Sequence, residues 1–180
     1  VTLNERFEWT LADVGASSLF FFVNPHAPTG RLSPRENVRA FIERAGGVVV
    51  IDEAYADFAR ENSMDIALSS DRVLVARTFS KSYALAGLRV GYVVGSETLI
   101  EAMFKIKDSY NMDAFTQHIA RAALRDVAYM RAMAEKIKTT RTRVAGALSA
   151  MGCEVTPSES NFLWVRPRGM TARDLYETLK

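Results

Sequence analysis

A chain of 180 residues has room for one ordinary domain or two small ones, and a chain of this length can bury roughly two-thirds of its unfolded surface. Hydrophobic residues at 48% and charged residues at 24% exclude a disordered coil or a collagen-like fibre. A net charge of +2, from 23 basic and 21 acidic residues, is too balanced to suggest a nucleic-acid or membrane partner.

Residues 1–17 read as an acidic and aromatic lead-in, not as a folded start, and they lack the charged n-region and apolar core of a signal peptide. Leu19-Phe-Phe-Phe-Val23 is a continuous apolar run, the pattern of a strand buried on both faces, and it stops at Asn24-Pro25. Asn24-Pro-His-Ala-Pro-Thr-Gly30 is a turn by composition, and Pro25 is expected to follow a cis bond. Ser33 then reads as a helix N-cap, Pro34 as the first helical residue and Glu36 as a capping-box partner. Val38, Phe41, Ile42 and Ala45 follow at helical spacing, and Gly46-Gly47 ends the helix.

The cycle repeats. Val48–Ile51 is a second strand, ending in Asp52-Glu-Ala-Tyr55, and 73–76 a third, ending in Thr78-Phe-Ser-Lys81. Residues 90–95 form a fourth. Asn24 and Asp52 are 28 residues apart, and Asp52 and Lys81 29, each interval fitting a strand-crossover-strand unit. The pattern implies an α/β fold with a mostly parallel sheet sandwiched by helices. None of the apolar runs approaches the length of a bilayer span.

After Gly95 the reading is helical: a segment capped by Ser96, a helix over 114–125, and a long helix over 128–151 stopped by Gly152. Residues 154–157 and 161–165 read as strands, and Thr171 caps a last helix that runs to Lys180 without a stop signal. A domain change is expected at about residues 108–114, dividing the chain into 1–110, part of a larger domain, and 111–180, part of a smaller α+β domain. The lead-in and the unterminated helix suggest a piece of a longer chain. The lone Cys153 makes no internal disulfide and suits a reducing cytoplasm, and with His26 and His118 it is poor material for a metal site.

In an open parallel sheet, ligands bind beyond the carboxyl ends of the strands. Three predicted strands end there in Asn24, in Asp52 and Tyr55, and in Thr78, Ser80 and Lys81, with Arg89 eight residues after the lysine. A lysine can form a Schiff base with an aldehyde. A buried aspartate can keep a heteroaromatic nitrogen protonated. Thr78 and Ser80, two apart, can aim both hydroxyls one way, and with Arg89 they can bind a phosphate. An aldehyde, a basic aromatic nitrogen and a phosphate on one small molecule describe pyridoxal 5′-phosphate.

The segments 24–30, 52–55 and Thr78-Phe-Ser-Lys-Ser-Tyr-Ala-Leu-Ala-Gly-Leu-Arg89-Val-Gly-Tyr92 resemble the fold-type-I aminotransferases, and among them most nearly the histidinol-phosphate aminotransferase family. Residues 157–166 resemble that family's small-domain strand, where Asn161 and Arg166 read as structure. The resemblance implies a cofactor, pyridoxal 5′-phosphate, held as an internal aldimine by Lys81, which also moves the proton. It pairs Asp52 with the pyridinium, sets Tyr55 and Asn24 on the phenolic oxygen, and gives the phosphate to Thr78, Ser80 and Arg89. It further implies amino transfer between histidinol phosphate and 2-oxoglutarate, in a cytoplasmic homodimer with no nucleic-acid or membrane partner. Gly87 and Gly91 are expected at close packing contacts. His26-Ala27 departs from the two asparagines common in the family's turn, at positions expected to face solvent. The competing expectations are an aromatic aminotransferase, a threonine-phosphate decarboxylase, or a catalytically silent fragment acting as a folded or oligomer-forming module.

Overall fold

The computed structural model describes residues 3–180. Four strands, β1 (Leu19–Val23), β2 (Val48–Asp52), β3 (Val73–Thr78) and β4 (Gly91–Val94), form one sheet in the order β1-β2-β3-β4. The first three are parallel, in a register that aligns Val23 with Asp52 and Asp52 with Ala76. β4 runs antiparallel to β3, placing Thr78 opposite Gly91. The twelve residues between β3 and β4 are too few for a helical crossover and instead fold back at the β3 tip. A side chain at Gly91 would come within 2.6 Å of Arg77 O, so this pairing needs glycine. Gly87, by contrast, faces open space, and the close-packing expectation fails there.

Helix α1 (Arg35–Ala45) and the short α2 (Met64–Leu68) cover one face of the sheet. Alternation along a strand sends every second residue to that face, so Val49, Ile51, Val73 and Val75 meet Val38, Phe41, Ile42, Ile66 and Ala67 in the main core. Fully burying such a side chain contributes about 1.5–3 kcal/mol. β1 departs from the expectation of burial on both faces: Phe22 is in the core, but Phe21 on the opposite face is 72% exposed. Among the described residues nothing packs over that side of the edge strand.

Two local expectations change. Ser33 does not cap α1. Pro34 is the N-cap residue, whose side chain has no atom to cap with; the Ser33 hydroxyl instead accepts from Trp9 Nε1 at 3.4 Å, and the Ser33 backbone is held by Asn24. The lead-in is folded: Trp9 sets its ring edge-on against Phe22 and Phe41, and Val14 is buried in the core, because the apolar flank of β1 and α1 needs a cover.

Beyond β4 come α3 (Glu97–Ile106), α4 (Ala114–Arg125), the long α5 (Val127–Ala150), a two-strand ladder of β5 (Glu154–Val155) with β6 (Val165–Arg166), and α6 (Ala172–Leu179). α4 places Ala120 against Phe79 and Val90, and α5 places Met130 and Ala134 against Phe58. Thr171 caps α6 as expected, and Asp174 completes a capping box with it. No helix among the described residues is long and apolar enough to cross a membrane.

Candidate active site

The parallel register brings the predicted tips side by side. Asn24, one residue past β1, donates its N–H to Asp52 O at 2.9 Å, and Glu53 N–H reaches Ala76 O at 2.9 Å. The Asn24–Pro25 bond is cis. Asp52 and Thr78 share one side of the sheet by strand parity, away from α1 and α2.

The polar groups on this rim divide into two sets. The first is already engaged. The Asn24 amide clamps Ser33, its Oδ1 accepting from the Ser33 N–H at 2.8 Å and its Nδ2 donating to Ser33 O at 3.1 Å. Thr78 Oγ1 accepts from Ser80 N–H at 3.0 Å and donates to Val90 O at 3.4 Å. The Arg89 guanidinium is exposed and donates to Ala86 O at 2.9 Å; no bond joins it to Thr78 or Ser80.

The second set is unspent. Asp52 Oδ1 accepts from Ala54 N–H at 3.0 Å, but Oδ2 has no partner among the described residues. The Tyr55 and Ser80 hydroxyls also lack protein partners there. Lys81 forms no ion pair; its Nζ lies 5.1 Å from the centre of the Tyr55 ring, a cation–π contact. All four residues are half-buried. Tyr55 is steadied from its other side by Phe162, edge-on at 5.0 Å.

Between β3 and β4 the lysine segment bends sharply. Ala84 (φ 54°) and Arg89 (φ 52°) both occupy the left-handed region that residues with a side chain seldom adopt. The bend is held by Phe79 N–H to Val90 O at 3.1 Å and Leu85 N–H to Phe79 O at 3.0 Å. Phe79 and Val90 are buried beneath it.

Four polar residues escaped the sequence reading. Glu53 follows Asp52 and therefore points to the opposite side, where its side chain is fully buried. Arg77, with the same parity on β3, reaches Glu53 Oε2 at 2.7 Å and Asp57 Oδ1 at 3.0 Å. Asp57 Oδ2 accepts from the Ser82 hydroxyl, and Glu53 Oε1 accepts from the Ser63 N–H. Glu53 and Arg77 carried a signal in the sequence, a charged residue directly beside Asp52 and beside Thr78; Asp57 and Ser82 carried none of that kind.

The far turn is also tied down. His26 Nδ1 lies 2.8 Å from Thr29 Oγ1, and burial lowers the His26 pKa, so this position is not simply solvent-facing. Gly30 O accepts from Glu159 N–H at 2.7 Å, joining the turn to the segment that delivers Phe162. Arg141 of α5 donates to Phe58 O at 3.2 Å and Ser160 O at 2.7 Å. Asn161 is exposed, and Arg166 faces Glu154 at 3.7 Å on the surface. A cavity of about 760 Å³ runs along β1 and the lead-in to Val23 and His26, and one of about 400 Å³ lies beside Arg31; neither is lined by Asp52, Tyr55, Ser80 or Lys81.

A mostly parallel α/β sheet whose adjacent tips gather an acid, a phenol and a lysine has the arrangement in which open sheets of this class hold their ligands. The family model for aminotransferase class I and II matches residues 5–179, and the chain belongs to that family. It is 44% identical over 164 residues to the histidinol-phosphate aminotransferase of Synechocystis sp., covering 91% of this chain and 47% of that protein. It is 43% identical over 161 residues to the histidinol-phosphate aminotransferase of a Geobacter species, covering 89% and 46%. The chain thus spans about half the length of the curated relatives it matches. The structure of the histidinol-phosphate aminotransferase of Sinorhizobium meliloti with pyridoxal-5′-phosphate superimposes with a TM-score of 0.76 at 32% identity, over 83% of this chain and 42% of that one. The enzyme of that name from Clostridium acetobutylicum, at 23% identity and a TM-score of 0.87 over 98% of this chain and 57% of its own, shares the fold.

Proposed function

We propose that the protein carrying this chain is a pyridoxal-phosphate aminotransferase that moves an amino group between histidinol phosphate and 2-oxoglutarate. The observation that carries this reading is the unspent polar set, Asp52 Oδ2, the Tyr55 and Ser80 hydroxyls and Lys81 Nζ, at tips aligned in one register. The donor chemistry fits the cofactor: an amine for its aldehyde, an acid for its basic nitrogen, hydroxyls for its oxygens. When bound, pyridoxal 5′-phosphate supplies the carbonyl that accepts the amino group and a ring that stabilises negative charge beside it.

The protein's own residues would do the rest. Lys81 Nζ is the covalent attachment point and, once displaced by substrate, the base that carries the proton. Asp52 holds a proton on the ring nitrogen. Each 1.36 kcal/mol lost from that stabilisation slows the reaction about tenfold. Tyr55 donates to the phenolic oxygen, with the remaining Asn24 Nδ2 proton beside it. Thr78, Ser80 and Arg89 take the phosphate, Ser80 with an uncommitted hydroxyl and Arg89 by turning from Ala86 O. We assign residues 1–110 to the cofactor-binding unit, which holds all seven of these residues, and 111–180 to a smaller unit. The homodimer and the cytoplasm belong to the same proposal.

The test is spectroscopic and then chemical. Full-length protein mixed with pyridoxal 5′-phosphate should develop a visible band that Lys81→Ala loses. Histidinol phosphate should then convert the band in a single half-reaction, faster than phenylalanine or threonine phosphate. A band that survives Lys81→Ala, or a preference for either competitor, would refute the assignment at the cofactor or the substrate level respectively.

A further inference from the structure

The buried ion cluster behind the tips has a geometry that core stability alone does not require. A fully buried Glu53 side chain, a nearly buried Arg77 and a partly exposed Asp57 carry one positive and two negative charges. Arg77 spreads its planar fork over both carboxylates: Nε and Nη2 to Glu53 Oε2 at 2.8 and 2.7 Å, Nη1 to Asp57 Oδ1 at 3.0 Å. Lysine cannot bridge two acids in that way. The second oxygen of each acid is then spent on a different segment. Glu53 Oε1 receives the Ser63 N–H ahead of α2, and Asp57 Oδ2 receives the hydroxyl of Ser82, the residue after Lys81.

We propose that Arg77, Asp57 and Ser82 are positioning residues for Lys81. The relay runs from the β2 tip, where Glu53 adjoins Asp52, through Arg77 to Asp57, and from Asp57 to Ser82. It fixes the lysine segment relative to the aspartate-bearing strand. The segment needs such a tether: Ala84 holds a left-handed backbone, and the Lys81 ammonium itself touches only the face of Tyr55. Ser82 is 8% exposed, and the bond from its hydroxyl to the Asp57 carboxylate adds a charge-assisted side-chain anchor to the backbone bonds that hold the bend.

The proposal rests on the reading of Lys81 as the cofactor's attachment point, and the experiment separates the two. In full-length protein without cofactor, the rate at which an amine-reactive ester labels Lys81 is followed against pH by peptide mass spectrometry. Amide exchange is read over 79–85 and over β2, and cofactor affinity is titrated separately. Ser82→Ala, the mildest variant, should speed exchange over 79–85 while leaving β2 unchanged. It should shift the pH dependence of Lys81 labelling and weaken cofactor binding about tenfold, the scale of a hydrogen bond to a charged group. Ser82→Thr, which keeps the hydroxyl, should restore labelling and affinity, and Arg77→Lys should behave as Ser82→Ala. If Ser82→Ala and Arg77→Lys leave labelling, local exchange and affinity within twofold of the parent while Lys81→Ala loses the visible band, the positioning role is wrong and the functional reading stands. If Lys81→Ala keeps the band, both fall.

Discussion

Replacing Gly30 by alanine tests how the Asn24 turn is locked to the segment carrying Phe162. Gly30 sits at φ +76°, where an L-residue costs about 1–2 kcal/mol. A new Cβ would also overlap Ser158 Oγ and lie 2.7 Å from Ser158 Cβ and 3.0 Å from Ser160 Oγ. The two serines cannot easily give way: Ser158 Oγ donates to Phe162 O at 2.7 Å and lies 2.8 Å from Ser160 Oγ. Overpacking of this kind costs about 1–3 kcal/mol. The expected destabilisation is therefore about 2–5 kcal/mol, read as the change in unfolding free energy from urea melts of full-length protein. Pairing the change with Ser158→Gly removes two of the three close contacts but leaves the backbone cost. The double variant should be more stable than additivity predicts by about 1 kcal/mol or more. A loss under about 0.5 kcal/mol for Gly30→Ala, or strict additivity in the cycle, would show that the turn and the Phe162 segment are not interlocked as described.

Phe58 is completely buried between the Asp52–Tyr55 tip and α5, so Phe58→Ala should cost about 3–5 kcal/mol in the same melts. Burial lowers the His26 pKa below its ordinary 6.5. The unfolded chain then binds more protons than the folded one between those two values, so stability should rise with pH across that window and level off above it; His26→Gln should abolish this component of the slope. The Asp113 carboxyl is held below its ordinary 3.8 chiefly by the Thr116 hydroxyl, which it caps at the start of α4. Its contribution should be present above that value and lost as pH falls through the folded pKa, and Asp113→Asn should flatten the acid limb of α4 unfolding followed by amide exchange. Asp52→Asn should leave thermal stability nearly unchanged yet slow the half-reaction with an amino donor by at least about a hundredfold; parent-like rates would remove Asp52 from its assigned role.

The polar strand tips and the parallel core were legible along the chain because both are local in sequence. Apolar runs of four to six residues ending in Asn24, Asp52 and Thr78 declare strand tips, and helix α1 shows its buried stripe at Val38, Phe41, Ile42 and Ala45. What pattern alone could not resolve depends on partners far away in sequence. Ser33 is an excellent cap by type, but its hydroxyl accepts from Trp9 Nε1, 24 residues earlier, and the helix starts only after Pro34. The lead-in has no periodicity, yet Trp9 and Val14 find the α1 flank and fold onto it. Residues 90–95 resemble another parallel strand until the short connection forces β4 to turn back.

By itself, then, the order of residues determined the strand tips and the residue types offered there, since a run of side chains with alternating direction carries that information without any partner, and the motifs at 24–30, 52–55 and 78–92 carried the family resemblance. Only the tertiary structure decided which polar groups are spent and which remain open. Asn24 and Thr78 hold backbone while Asp52, Tyr55, Ser80 and Lys81 keep free atoms, and Glu53, Arg77, Asp57 and Ser82 close a relay across three segments. Hydrogen bonds and ion pairs of that kind join residues 10 to 25 positions apart, and their existence depends on the register of the sheet, which no single segment encodes.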